Sequence, residues 1–344
     1  MPTVRLLQTI GRATLVAVVL TASDALAAEP PVQISQVFIG QLGAMDFRLV
    51  GGRIVAMCDD PTRSVSLKQG SAARKETLNI SFNGNMVTMR YELSLADAHI
   101  DYIVLKGHEV TIRRTRRGDG KNTAYDIVQP ADGPIRLHID NGAEPADLTG
   151  ASLWHLLLSL PELREDLAGL IEMVHPTWRL SKACAVVESN LLRTTVVAPV
   201  FDRKDVSIWI EQLASPRFAD RRSGERKLRE AGPAIFPVLR QFDRQRLDSE
   251  QRFRLRKILH ATATDDNEDS VETVVTQLAL DPTVWLSLLG RDDMSVRRTA
   301  AEHLAQLLGA PIAFDVEADE ATRREQIKGV EAQVRQSLEL DRRP

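Results

Sequence analysis

Cysteine is nearly absent: the 344 residues contain two, Cys58 and Cys184. A disulfide framework of the kind that staples small exported domains is therefore excluded. Thiols, histidines and carboxylates do not pair at ligand spacing, so no metal and no cofactor are expected. Catalytic signatures are missing as well. There is no G-x-S-x-G elbow, no H-E-x-x-H, no Walker loop and no dinucleotide fingerprint. Glu302-His303 lacks the second histidine of a zincin. The acidic stretch Asp265 to Ser270 lacks the spaced Asp and Gly of a calcium loop, and reads as a linker plus the cap of a helix at Val271. No catalytic residue is assigned, and the chain is not expected to be an enzyme. A hydrolase whose carboxylates meet only in the fold stays open as an alternative.

Long apolar runs are also lacking, with one exception at the start. Arg5 and Arg12 precede or open an apolar stretch from Ala13 to Ala22, and Ala25-Leu26-Ala27 follows. That order is the pattern of a secretory signal peptide over residues 1–28, with cleavage near Ala27 or Ala28. The apolar core is short of the roughly 20 residues that span a bilayer. The expected location is therefore exported, periplasmic or extracellular, with no membrane span after cleavage. No cysteine follows the site to carry a lipid. Export would permit a Cys58–Cys184 bond; two separately buried thiols are the other reading.

Two kinds of periodicity divide the remainder. From Val32 to about Asp140 the apolar residues alternate, as in Leu78, Ile80, Phe82 and again in Val87, Met89, Tyr91, Leu93. Gly51-Gly52, Asn83-Gly84 and Lys106-Gly107 mark hairpin turns. About nine strands are expected, forming an antiparallel β domain over residues 29–150, either a sandwich or a twisted sheet. Arg113, Arg114, Arg116, Arg117 and Lys121 cluster at one hairpin end. They read as a solvated, edge-protecting end rather than an anion patch. Arg117-Gly118-Asp119 matches an adhesion tripeptide but sits where a turn belongs. His99, His108 and His138 fall in strand patterns.

After the stretch NGAEPADLTG the period becomes that of a helix. Residues 151–200 form a helical segment in which Trp154 and Trp178 read as core anchors, and residues 201–344 a helical domain. Ser215 and Pro216 open a helix running to about Ala231, with Phe218 expected to anchor its edge. Gly232-Pro233 starts the next, with Ile235, Val238, Leu239 and Phe242 on one side. A third, capped at Asp248 or Ser249, has Leu255, Ile258 and Leu259 as its inner edge. Some fifty residues on, Pro282, Trp285 and Leu288 repeat Pro233, Phe236 and Leu239. Trp285 and Phe236 are expected to be buried.

At these residues the chain resembles HEAT-type repeats, over roughly Asp205 to Leu308. The likeness rests on the first-helix proline, the apolar set behind it, and DDMSVRRTAAEHLAQLL. The resemblance implies paired helices stacked into a short solenoid that binds other macromolecules, and it implies no catalytic residue. The whole layout also resembles exported bacterial proteins that join a β domain to HEAT-like helices. The fold class expected is α+β, an N-terminal antiparallel β domain followed by a C-terminal HEAT-like solenoid.

Residues 217–257 hold thirteen Lys/Arg against six Asp/Glu. Arg222, Arg226 and Arg229 share one side of their helix and are the candidate binding residues. Asp220, Glu225 and Glu230 interleave with them at pairing distance. Aromatic residues do not interleave as base stacking needs, and an exported protein rarely meets nucleic acid, so nucleic acid is not an expected partner. The expected function is an exported, noncatalytic scaffold or adaptor that binds a protein partner through its helices. The alternative is a binding module for an acidic envelope polymer or glycan.

Overall fold

The computed structural model describes residues 34–42, 45–58, 64–84, 86–117, 122–141, 145–194, 203–231, 235, 239, 247–261 and 269–340. The expected leader, Gly118 to Lys121 with the adhesion-like tripeptide, Pro233, Phe236, Val238, Phe242, the Leu259 side chain and Asp265 to Glu268 lie outside the described residues.

An antiparallel β region precedes a helical one. A hairpin of β1 (Asp46–Val50) and β2 (Arg53–Met57) turns at Gly51-Gly52, both at positive φ. Eight further strands form one meander in chain order: β3 (Val65–Gly70), β4 (Arg74–Asn83), β5 (Met86–Leu95), β6 (Ala98–Leu105), β7 (Glu109–Arg117), β8 (Asn122–Gln129), β9 (Ile135–Asp140) and β10 (Ala146–Gly150). The result is one sheet with a separate hairpin. Its alternating pattern buries one face, including Tyr91, Ile100, Ile112 and Leu137. Each such apolar side chain contributes roughly 1.5–3 kcal/mol on burial.

The other face is open and charged. Cross-strand register sets Glu92, Asp101, Arg113, Asp126, His138 and Asp147 in one row. Arg113 meets Asp126 at 3.1 Å and His138 meets Asp147 at 2.8 Å. Arg114 points the other way, to Asp166 at 2.8 Å, and Arg116 lies 3.6 Å from Asp97. The arginine cluster thus spends its charge on carboxylates of neighbouring elements.

Two stretches differ from the period-two expectation. Gln36–Leu42 is a helix, α1, rather than strand. Ile34, Phe38 and Leu42 recur every fourth residue and are buried, which a helical stripe satisfies better than alternation. Phe38 meets Tyr91 edge-on, with centroids 6.1 Å apart. The Ser35 N–H donates to Glu76 (3.3 Å), which also accepts from the Tyr91 hydroxyl (3.0 Å). The second is β10, in a stretch expected to connect: Ala146, Leu148 and Gly150 alternate inward and pair with β9.

The helices are α2 (Leu153–Ser159), α3 (Arg164–Glu172), α4 (Leu180–Arg193), α5 (Arg203–Gln212), α6 (Phe218–Glu230), α7 (Ser249–Ala261), α8 (Val271–Ala279), α9 (Pro282–Leu288), α10 (Met294–Leu308) and α11 (Glu320–Leu340). They divide between two cores. The buried face of the sheet shares one core with α2–α4 and α8–α11. Residues 203–258 close a second, around Val206, Ile210, Leu213, Leu228, Ile235, Leu239, Leu247, Leu255 and Ile258. Trp285 is fully buried, donates its indole N–H to Ala279 O (2.9 Å), and stacks on His303 at 4.2 Å. Trp154 is buried and Trp178 partly so. Cys58 and Cys184 are both buried and not bonded to each other. Burial pushes the Cys184 thiol up to about 12, leaving it an inert core residue.

The Lys106-Gly107 turn folds onto the hairpin. Gly107 N–H donates to Val87 O (2.8 Å), and its carbonyl accepts from Ala56 N–H (2.7 Å). Gly107 has φ +73, and a Cβ there would stand 2.4 Å from the Ala56 carbonyl oxygen. Gly84 also has positive φ, but nothing lies within 4 Å. Gly84→Ala should therefore cost about 1–2 kcal/mol from backbone strain alone. Gly107→Ala should cost clearly more in urea unfolding, and equal costs would show that this contact does not hold the hairpin.

Candidate functional site

The strongest polar constellation is half-buried where hairpin and helices meet. Two consecutive left-handed glycines aim their N–H groups to one side, forming an anion-binding concavity. Asp269 fills it: Gly51 N–H donates to Oδ1 (2.6 Å) and Gly52 N–H to Oδ2 (2.5 Å). The Trp154 indole N–H adds a third donor to Oδ2 at 2.8 Å. Main-chain bonds close the junction, from Asp269 N–H to Leu49 O (3.1 Å) and from Leu153 N–H to Gly52 O (2.8 Å). A Cβ at residue 52 would lie 2.5 Å from Ser152 Cβ and 2.6 Å from Trp154 Cδ1, so the hairpin reaches α2 only as glycine.

Beside it runs a Ser–His–Asp chain. Ser152 Oγ lies 2.8 Å from His155 Nδ1, and His155 Nε2 lies 3.1 Å from Asp281 Oδ2. Asp281 Oδ1 accepts from the Thr283 N–H (2.9 Å) and hydroxyl (2.7 Å), capping α9. All three members are buried. Burial pushes the Asp281 carboxyl up, but the bonds from His155 and Thr283 more than offset this and hold it below the ordinary carboxylate range. As a carboxylate it only accepts, so Nε2 carries the proton of the His155–Asp281 bond. The Ser152 hydroxyl faces no solvent, and the chain works as a tie between α2 and α9.

A third tie is Glu188 on α4. It accepts from Arg164 (2.6 Å) and from Arg291 (2.9 Å), while Arg291 also donates to Leu158 O (2.7 Å). Arg297 of α10 donates to the carbonyls of Arg291 (2.8 Å) and Val316 (2.7 Å), binding the segment before α11. None of these residues was marked by spacing, because each partner lies far away in sequence. Ser270, expected as a cap, does what its position suggests, accepting from Thr273 N–H at 3.2 Å.

The candidate binding arginines lie on α6, in the second core's module. Arg229 pairs with Glu225 at 2.9 Å, and Glu225 also holds Arg254 of α7 at 2.8 Å. Burial raises the Glu225 carboxyl somewhat, but the two guanidiniums outweigh it and leave it below its ordinary range. Arg229 is thus part of the α6–α7 seam. Arg226 faces Glu230 at 3.8 Å, and Arg222 is exposed with no ion pair among the described residues. The three arginines thus differ in their pairing: Arg229 and Arg226 each face a carboxylate on α6, and Arg222 does not among the described residues.

Two local expectations change. Phe218 is 63% exposed rather than an anchor, because α6 buries its opposite side through Gly224 and Leu228. Ser215 does not cap α6 directly: the helix begins at Phe218, and the Ser215 hydroxyl bonds Asp220 (2.8 Å) and accepts from Arg217 N–H (3.2 Å). Asp248 does cap α7, exchanging bonds with Gln251 (2.7 and 2.9 Å) as a capping box.

The depressed Asp281 pKa sets a sign. A carboxyl held below its unfolded value of about 3.9 stabilises the fold fully above roughly pH 5, and that contribution drains as pH falls through the folded value. Asp281→Asn should cost roughly 3–5 kcal/mol near neutrality, by leaving a buried partner unpaired. Its stability should also fall less steeply than the parent's below pH 5. An identical acid limb in the two proteins would contradict the tie. Against known proteins, no family model, no curated protein and no solved structure matches the chain, so its own residues carry the functional reading.

Proposed function

We propose that the chain is an exported, noncatalytic scaffold or adaptor that binds a protein partner through HEAT-like helices. The observation that carries this is the second core. The sheet and α2–α4 with α8–α11 already close one core, and residues 203–258 close another beside it. A module that the main core does not need for closure is explained by contact with something else. It keeps large apolar side chains in water: Phe218 (63%), Phe253 (60%) and Ile208 (49%). Buried polar groups, by contrast, are spent on the ties between elements. The signal-like start of the sequence is the ground for export, and no helix among the described residues is long and apolar enough to cross a membrane.

Affinity capture from the envelope of the producing cell tests the proposal. The full chain should recover a protein partner. A chain with residues 203–261 replaced by a short Gly/Ser linker should keep a cooperative melt and lose that partner. Arg222→Glu with Arg226→Glu should leave the melt unchanged and weaken capture modestly, because Glu225 and Glu230 already screen this side. Capture that survives removal of the module would contradict the reading.

A further inference from the structure

The exposed side of the α6–α7 pair has a repeated composition. On α6, Phe218 is followed one turn later by Arg222, and on α7, Phe253 is followed one turn later by Lys257. Residues four apart share a helix side. All four are exposed, and neither cation has an ion-pair partner among the described residues. The Arg254–Glu225 bond at 2.8 Å locates the two helices against each other. Glu225 is two turns after Phe218 on the same side of α6, and Phe253 adjoins Arg254. Both phenyl groups are exposed, while Leu228, Leu255 and Ile258 fill the module's core.

The charge of the α6–α7 seam is one-sided. Glu225, its inner acid, is already neutralised by Arg229 and Arg254. Over residues 203–261 there are fifteen Lys/Arg against eight Asp/Glu, whereas the whole chain carries −3, so the rest carries −10. A partner for this side must supply negative charge at the level of the cations and apolar depth beyond it. An anionic bilayer offers those two layers in that order: phosphates outside, acyl chains below. Both phenyl groups are more than half exposed, and a fluid interface accepts such side chains at any spacing.

We propose that this module docks the protein peripherally on an anionic membrane surface, with Phe218 and Phe253 entering the interface and Arg222 and Lys257 engaging lipid phosphates. The proposal rests on the reading of residues 203–261 as a contact surface and names what that surface meets. In an adaptor it would hold the protein partner at the membrane.

Vesicle co-sedimentation with the full chain tests it. The vesicles are phosphatidylcholine alone, or with roughly a third phosphatidylglycerol as the anionic lipid. The Arg222→Glu, Lys257→Glu variant, which keeps the cationic residues 1–28, reports any contribution from that segment to anionic vesicles. The parent should partition at least about tenfold more strongly to the anionic vesicles, and lose that preference in high salt. Phe218→Ser with Phe253→Ser should weaken anionic binding on the order of tenfold with an unchanged melt. Arg222→Glu with Lys257→Glu should reduce it to the neutral level. As an independent readout that needs no loss of function, Phe218→Trp should add a fluorescence component that shifts to the blue only with anionic vesicles. Equal partition to both vesicles, or an unshifted Trp signal with anionic vesicles, would overturn the proposal. If the two phenyl groups are instead required for capture of a protein partner and not for vesicle binding, the lipid assignment falls while the adaptor reading stands. If neither vesicle binding nor capture depends on the module, both fall.

Discussion

Two carboxylates, the half-buried Asp269 and the fully buried Asp281, hold this protein's two kinds of secondary structure together. A buried charge is tolerable only when paired and hydrogen-bonded on its free lone pairs. Asp269 meets that demand with three N–H donors from the hairpin turn and Trp154, and Asp281 with His155 and Thr283. Apart from Thr283 of α9 itself, the donors come from the hairpin and α2, and the acceptors from just before α8 and α9. The hairpin and α2 therefore cannot separate from the starts of α8 and α9 without stranding a charge. Apolar burial supplies most of the stabilisation, but it is non-directional; the carboxylates specify which helices face the hairpin.

This constraint explains the split into two cores. Asp269 lies just before α8, so the chain returns to the main body at a defined point after residues 203–261. Between Thr194 and Asp269 the polypeptide folds a module held by its own apolar cluster and by the Glu225–Arg254 pair. The two stretches that resemble each other in sequence consequently sit in different surroundings. Leu239 belongs to the module, while Trp285 and Leu288 pack in the main core. Of the module copy the described residues Ile235 and Leu239 are buried in the module's own core.

Much of the β region was legible because one buried face imposes strict alternation. From β4 to β9 every expected inward residue that is described faces the core or packs against it, and the expected glycine turns fall at strand ends. α1 was misread because Val37 and Ile39 mimic alternation in a stretch too short to separate the two periods; the fourfold spacing of Ile34, Phe38 and Leu42 was the better signal. Phe218 was misread because an aromatic at a helix start commonly packs inward, and only the position of Gly224 against Trp209 O and Gln212 shows which side is inside. The polar ties were not legible at all. Ser152 and His155 stand three residues apart, but 126 residues separate His155 from Asp281, the partner that gives the pair its meaning. Even so, the Gly51-Gly52 turn held a hint: two adjacent left-handed glycines present N–H groups that an anion can fill.

The most direct test of the central claim is native-state hydrogen exchange resolved by segment. If the carboxylate ties make sheet and C-terminal helices one cooperative unit, the β1–β2 turn, α2, α8 and α9 should open only with the sheet strands β5–β7, and residues 203–261 should open at distinctly lower free energy. The opposite pattern, with α8–α10 exchanging together with residues 203–261 while the sheet stays protected, would show that the helices form a unit of their own and that the ties do not hold them to the sheet.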